Sequence, residues 1–528
     1  MRTSVTRACG LAVVVFTFGI DVSTFAQSAQ GTSQPVVTNA PPARRLSSDE
    51  AVKLAIENNL GIQVARIDPQ IEDLNVLGAR AGWSPSFTST FQSSSSDAPN
   101  QNFLAGAQGG KTSNDQFTSN VGVQQTFRWG GTYQLGWDSS RLMTNNSFST
   151  FSPQIRSSLA LNYTQPLLRG FLIDSVRQQV ELGSKNREIA DVSLRQTIAT
   201  TTRTVRNAYW DLAYAIASLR VQQESLALAQ ESLRNTRARV EIGTTPPIDI
   251  VEAESEVAAR QEAVIVAEAQ IGTAEDTLRT LVFDPSMPDF WAIRLEPSDP
   301  PALQPRVVDL DGAVRNALDR RTDLEQVRKS LEADDINIKF YRNETLPDVT
   351  ASIDYGLQGL GGTQLQRGLG PFGPGTGAVV GETQRAFSTV LSDLFTNQFP
   401  SWTAGVNISY PLGTSTAEAN LARVRLQQSQ SRTALRNQQL QVTTEVRQAA
   451  RQVQTNQQRV ESSRVSQQLF ERRLEAEQRK FEAGTSTSFL VFQAQRDLSQ
   501  ARNNYLQNLL DYIRSTIDLD AVQEVPLR

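Results

Sequence analysis

The sequence contains no histidine, and its only cysteine is Cys9. Nucleophile-plus-base constellations and the usual zinc or copper sites therefore lack their parts. Three methionines are too few for a thioether copper path. No residues converge on catalysis, so an enzyme, a cofactor and a metal centre are not expected. No run of ~20 apolar residues occurs, which argues against a transmembrane helix. Charge of one sign is also scarce: the net charge is −4 with acids and bases interspersed, and this is no footprint of a nucleic-acid binder. A hydrophobic content of 39% and a mean hydropathy of −0.35 are low for the several compact cores that 528 residues suggest. Long rods with a thin apolar seam suit these values better.

Glycine and proline, present elsewhere, are missing from Thr414 to Ala483. Their absence over 70 residues rich in Gln, Arg, Ala, Leu and Glu predicts one continuous helix. At 1.5 Å per residue it is roughly 100 Å long. Steps of four and three give Val442, Val446, Ala449, Val453, Asn456, Val460, Ser463, Gln467, Phe470, Leu474, Glu477 and Phe481, a coiled-coil seam diluted by polar residues. The same ladder occurs 241 residues earlier, from Thr201 through Val205, Ala208, Leu212 and Ala215 to Val240. The rod is present twice.

At the N-terminus, Arg2 and Arg7 precede an apolar run from Ala8 to Ile20 and the small-residue site Thr24-Phe25-Ala26. This predicts a secretory signal over residues 1–26, the run being too short for a membrane anchor. A polar lead-in, 27–46, reads as disordered. Ser47 to Glu50 then offers a capping box that opens a helical stretch to about Ala81, which Pro69 should kink or divide.

From Pro85 the period becomes two, with Phe87, Ser89 and Phe91 on one side. Further alternating stretches follow at Val121 to Trp129, Tyr133 to Trp137 and Leu159 to Tyr163, separated by Ser- and Asn-rich loops near 94–116 and 143–154. Each strand is about the ten residues that a membrane β-strand needs. The first rod runs from beyond Gly170 to Ile242 and stops at Gly243-Thr244-Thr245-Pro246-Pro247. A return helix carries Ile250, Val257, Val264, Ile271 and Leu278 in heptad register. A Pro-rich linker, 283–311, ends the first half, 47–282. The second half, 312–520, repeats it, and 521–528 is a tail.

Offsets of 262, 245 and 241 residues superpose Ala51-Val52 and Pro85 on Ala313-Val314 and Pro347, Leu159 to Pro166 on Ala404 to Pro411, and Gly243-Thr244 on Gly484-Thr485. This is the signature of internal duplication. Two departures stand out. The first half carries an extra hairpin, Val121 to Trp137. The second has a long Gly-rich loop from Gly356 to Pro400 with a short helix near Gln384 to Phe395.

A handful of membrane-length strands cannot close a barrel, and an open sheet edge in lipid leaves backbone groups unpaired. Several chains must therefore share one barrel, with the rods extending its lumen. In this order of elements, in Gln165-Pro166-Leu167 and Tyr410-Pro411-Leu412, and in the two Gly-Thr turns, the chain resembles the TolC family of outer-membrane efflux channels. The resemblance covers about 47–520. It implies a mainly α protein with membrane β-strands: a homotrimer with a 12-stranded barrel in outer-membrane lipid and a coiled-coil helical tunnel in the periplasm. It also implies a periplasmic adaptor and an inner-membrane pump as partners, in tripartite efflux or type I secretion, and a passive conduit.

The resemblance further marks Gly243, Thr244, Gly484 and Thr485 as tips that contact the adaptor. Acidic residues one turn beyond the tips narrow the pore in that family. The matching residues here are Asp249 and Glu252 in the first half but uncharged Leu490 and Gln493 in the second. Asp249 and Glu252 share a helix face with Glu256, which serves either a constriction or a solvated coiled-coil surface. The spacing Gly368-x-Gly370-x-x-Gly373 imitates a dinucleotide loop, but no strand-to-helix turn contains it, and a flexible extracellular loop is expected. Whether the extra hairpin joins the barrel or caps it stays open. A periplasmic coiled-coil adaptor or scaffold is the alternative reading; it accounts for the rods and not for the strands before each rod.

Overall fold

The computed structural model describes residues 43–100, 110–288, 290–300, 305–370, 373–413 and 415–524. The expected signal, 1–26, and most of the lead-in lie outside them. Helices α1 (Ser48–Asn58) and α2 (Leu60–Arg80) lead into strands β2 (Ser86–Pro99), β3 (Lys111–Thr126), β4 (Thr132–Thr144) and β5 (Phe151–Pro166). The rod α3 (Ser175–Glu241) and its return α4 (Ile248–Val282) follow. In the second half come α5 (Leu310–Arg320), α6 (Thr322–Glu344), β7 (Asp348–Gly370), β8 (Gly373–Arg385), α7 (Phe387–Phe395), β9 (Pro400–Ser409), α8 (Thr416–Glu482) and α9 (Ser488–Val522). The rods α3 and α8 are each 67 residues long, and the returns α4 and α9 each 35.

Each rod starts at a side-chain cap. Asp174 accepts from the Arg177 amide at 2.7 Å, and Ser415 from the Glu418 amide at 3.1 Å. The seams read from the sequence are buried: Val205, Ala208, Leu212 and Ala215 in α3, and Val442, Val446, Val453 and Val460 in α8. Asn456, a polar seam position, is also buried and donates to the Asp511 carbonyl at 2.9 Å. Helices α2, α4, α6 and α9 all pack against α3, and α6 and α9 pack against α8 as well.

The structure departs from the sequence reading at four places. Residues 43–46 of the lead-in are not disordered but form β1 (Ala43–Leu46), which pairs in parallel with β6 (Arg294–Pro297) inside the Pro-rich linker. Leu46 and Leu295 bury against Tyr209 and Phe283. The Tyr209 hydroxyl accepts from the Asp299 amide and donates to its carboxylate, both at 3.0 Å, and burial pushes its pKa up to about 12. Four-residue strands carry too little periodicity to be seen in sequence.

Second, the first helical stretch divides at Asn59, not at Pro69. The Asn59 Oδ1 accepts from the Gly61 and Ile62 amides, capping α2, while Pro69 is buried within it. Third, the Ser-rich segments expected as loops are strand as far as Pro99 and from Lys111. Fourth, the Gly-rich segment from Gly356 belongs largely to β7 and β8, and Gly370 pairs with Gly373 where a loop was expected. The place of the extra hairpin, which the sequence left open, is given by the strand pairing, and the sheet holds more than the four strands per chain of a 12-stranded trimer. The sheet runs β2-β3-β4-β5-β7, with β9 and β8 sharing the next flank of β7. Among the described residues that makes six strand positions. The hairpin β3–β4 lies inside the sheet.

Candidate pore wall and periplasmic tips

Alternation along each strand gives the sheet two chemically distinct faces. One row, followed by strand pairing, is Phe87, Val123, Leu135, Leu161, Tyr355 and Trp402. The next row on the opposite face is Ser86, Gln124, Gln134, Asn162, Asp354 and Thr403. The first face is built to meet hydrocarbon and the second to line water. Asn162 donates to Asp354 on the polar face.

At the rod end of the sheet, Phe127 stacks on Trp129 with centroids 4.3 Å apart, and Tyr133 and Tyr163 lie beside them. Such aromatic clusters sit at the membrane–water boundary of barrels. Just below, Arg177 donates to the carbonyls of Phe171, Leu172 and Gly170, and Arg169 pairs with Asp348. These contacts join the sheet to the rods.

At the far ends of the rods the two tips share one geometry. Gly243 and Gly484 have φ of +76° and +75°, the left-handed conformation that glycine adopts without strain. The Thr244 amide donates to the Arg239 carbonyl at 2.9 Å and the Thr485 amide to Lys480 at 2.8 Å, the Schellman pattern. Both threonine hydroxyls donate to the same carbonyls. The guanidinium of Arg239 lies 4.3 Å from the Phe481 ring and donates to its carbonyl, tying one tip to the other. Nearby, hydrogen bonds from Lys480 and Ser486 hold the Glu477 carboxyl below its usual range. Gly484→Ala is expected to strain this end by about 1–2 kcal/mol. The Thr485 amide should then exchange with deuterium roughly five to thirty times faster, read by hydrogen exchange.

The acidic residues beyond the first tip behave differently from one another. The Asp249 Oδ2 accepts from the Ser488 hydroxyl at 2.9 Å, across to α9. Glu256 is buried between Arg260, at 2.7 Å, and Arg496, at 2.9 Å. Glu252, between them in sequence, is exposed and has no hydrogen bond or ion pair among the described residues. The acidic face therefore turns toward α9. Sequence reasoning missed Ser488 and Arg496, which lie about 240 positions from their partners and show no local signal. It also passed over Leu60, Val64, Ile67, Ile71 and Leu74 on α2, exposed apolar residues whose four-three spacing was readable.

The sequence model of the family described as outer membrane efflux protein matches residues 51–282 and 313–522. The chain belongs to this family. It is an outer-membrane efflux channel, and the assignment is to the channel and not to the adaptor. A relative, the pyoverdine export outer membrane protein OpmQ of Pseudomonas putida, is 24% identical over 416 residues, 76% of each chain. Among solved structures, the CmeC outer membrane channel of Campylobacter jejuni has a TM-score of 0.61 at 13% identity, over 90% of this chain and 85% of that one. The outer membrane protein VceC of Vibrio cholerae has a TM-score of 0.62 at 16% identity, over 90% and 95%.

Proposed function

We propose that three copies of this chain form one passive conduit from periplasm to exterior, receiving cargo from an inner-membrane pump through a periplasmic adaptor. The observation that carries this reading is a pair of unfilled edges on opposite flanks of the chain. On one flank α2 leads into β2, and on the other β9 leads into α8. Both outer strands are exposed along their whole length. Six strand positions also fall short of the eight that close the smallest barrels. Copies related by rotation place β2 beside β9 of the next copy and α2 beside its α8. The test is the mass of the purified chain in detergent together with its conductance in planar bilayers. Discrete conductance from a trimer is expected; a monomer that leaves the bilayer silent overturns the reading.

In this reading the tips Gly243-Thr244 and Gly484-Thr485 are the surface offered to the adaptor, and Asp249 and Glu252 supply the acid of the narrowest point. Glu252 is the exposed member, and Asp249 is held by Ser488. The double variant Asp249→Asn with Glu252→Gln is expected to lower the preference for cations severalfold, measured as reversal potential in a salt gradient. Unchanged selectivity would return both residues to a solvated helix surface. The resemblance to one pyoverdine export protein supports export of small molecules as the cargo class.

A further inference from the structure

We infer that the hairpin β3–β4 is part of the membrane wall, so that three copies of six strand positions close an eighteen-stranded barrel. The inference rests on the trimer proposed above and adds the width of its membrane part.

Four observations converge on it. The hairpin is paired without interruption to β2 on one side, over Ser86–Pro99, and to β5 on the other, from Thr132↔Thr164 to Leu142↔Gln154. A cap would leave β2 and β5 paired with each other instead. Its strands are 16 and 13 residues long, enough to cross the hydrocarbon. Its apolar positions keep register with both neighbours: Val123 and Leu135 continue the row from Phe87 in β2 to Leu161 in β5, and Val121 and Trp137 continue that of Leu159 in β5. A cap surrounded by water has no reason to keep that alternation. Finally, its turn sits in the aromatic cluster at the rod end, where Gln125 donates to the Trp83 carbonyl at 2.9 Å and Arg128 lies over the Trp83 ring.

Direction is satisfied as well. Successive pairings are antiparallel, so β2 and β9 point opposite ways and can pair antiparallel between copies. Adding two strands preserves this parity; adding one would break it. Barrel diameter grows about linearly with strand number, so eighteen strands give a bore about half as wide again as twelve. The rods gain nothing from the hairpin, since its turn returns directly to the sheet. The membrane end is therefore the wide end of the conduit, and narrowing is left to the tips.

Cys9, the only native cysteine, lies within the expected signal, so single cysteines can be labelled cleanly. The purified full-length product as exported, in liposomes, would carry a nitroxide at Val123→Cys, Gln124→Cys, Gln134→Cys or Leu135→Cys. Leu159→Cys and Ser158→Cys in β5 serve as the reference. The inference expects accessibility to dissolved oxygen over that to a water-soluble nickel chelate to invert between neighbours in β3 and β4, as in β5. Inversion in β5 with uniformly water-accessible labels in the hairpin overturns the inference and leaves the trimeric channel standing. Uniform water access in β5 as well overturns both.

Discussion

Leu159→Arg is expected to abolish assembly in the outer membrane, while Ser158→Arg, one residue away, leaves it intact. Leu159 lies on the apolar face, paired with Trp137 on one side and Leu357 on the other. It is near the middle of β5, so in the bilayer it falls near the midplane. An arginine at the midplane of a barrel costs about 2–4 kcal/mol. A trimer carries the change three times, so the penalty reaches about 6–12 kcal/mol, as large as the whole stability of an ordinary domain. Ser158 is on the polar face, opposite Asp138, where an arginine gains an acidic neighbour and stays in water. The readout is heat-resistant trimer in the outer-membrane fraction. Equal loss from both substitutions would mean that the two faces do not meet different solvents, and the assignment of lipid and lumen sides would fall.

How much of this was legible in the sequence depends on whether the physical constraint was local. The rods were, because a helix of 67 residues must exclude glycine and proline almost throughout and repeat an apolar seam. The tips were, because a helix that ends in the left-handed conformation asks for glycine there. The stretches of strand within the hydrocarbon were, because lipid on one side and water on the other enforces period two. Beyond the hydrocarbon both sides are wet. Ser93 to Ser96 in β2, and the glycines of upper β7, could therefore take residues that read as loop.

The break at Asn59 was hidden because proline is the more familiar interruption, yet Pro69 tolerates its place within α2. Contacts between distant segments left no trace: Asp249 with Ser488, Glu256 with Arg496, and β1 with β6. Each joins residues more than 200 positions apart, and a single sequence contains no rule that couples them. The same holds for the hairpin. Its strands were legible, and its place between β2 and β5 was not, because pairing order is a property of the sheet.

The double variant Ile67→Glu with Ile71→Glu is expected to convert the proposed trimer to monomer. Helix α2 is apolar on two opposite faces. Ile62, Pro69 and Val76 are buried, with Val76 packing against α3, whereas Leu60, Val64, Ile67, Ile71 and Leu74 project outward and are exposed. A helix apolar all round is a buried helix, so the outward stripe calls for a partner that one chain lacks. The opposite flank supplies one. On α8, Leu426 and Leu440 are exposed, 14 residues apart as two heptads, within the part of α8 nearest the sheet, as α2 is. Burying each large aliphatic side chain contributes about 1.5–3 kcal/mol. Losing two per interface and placing two carboxylates in an apolar seam removes more than that at each of three contacts. The α3-facing side is untouched, so the helical circular dichroism of the chain should persist while its mass in detergent falls to that of one copy. A trimer of undiminished heat resistance would show that the α2 stripe faces something other than the next copy, and the edge-to-edge closure would have to be abandoned for the rods.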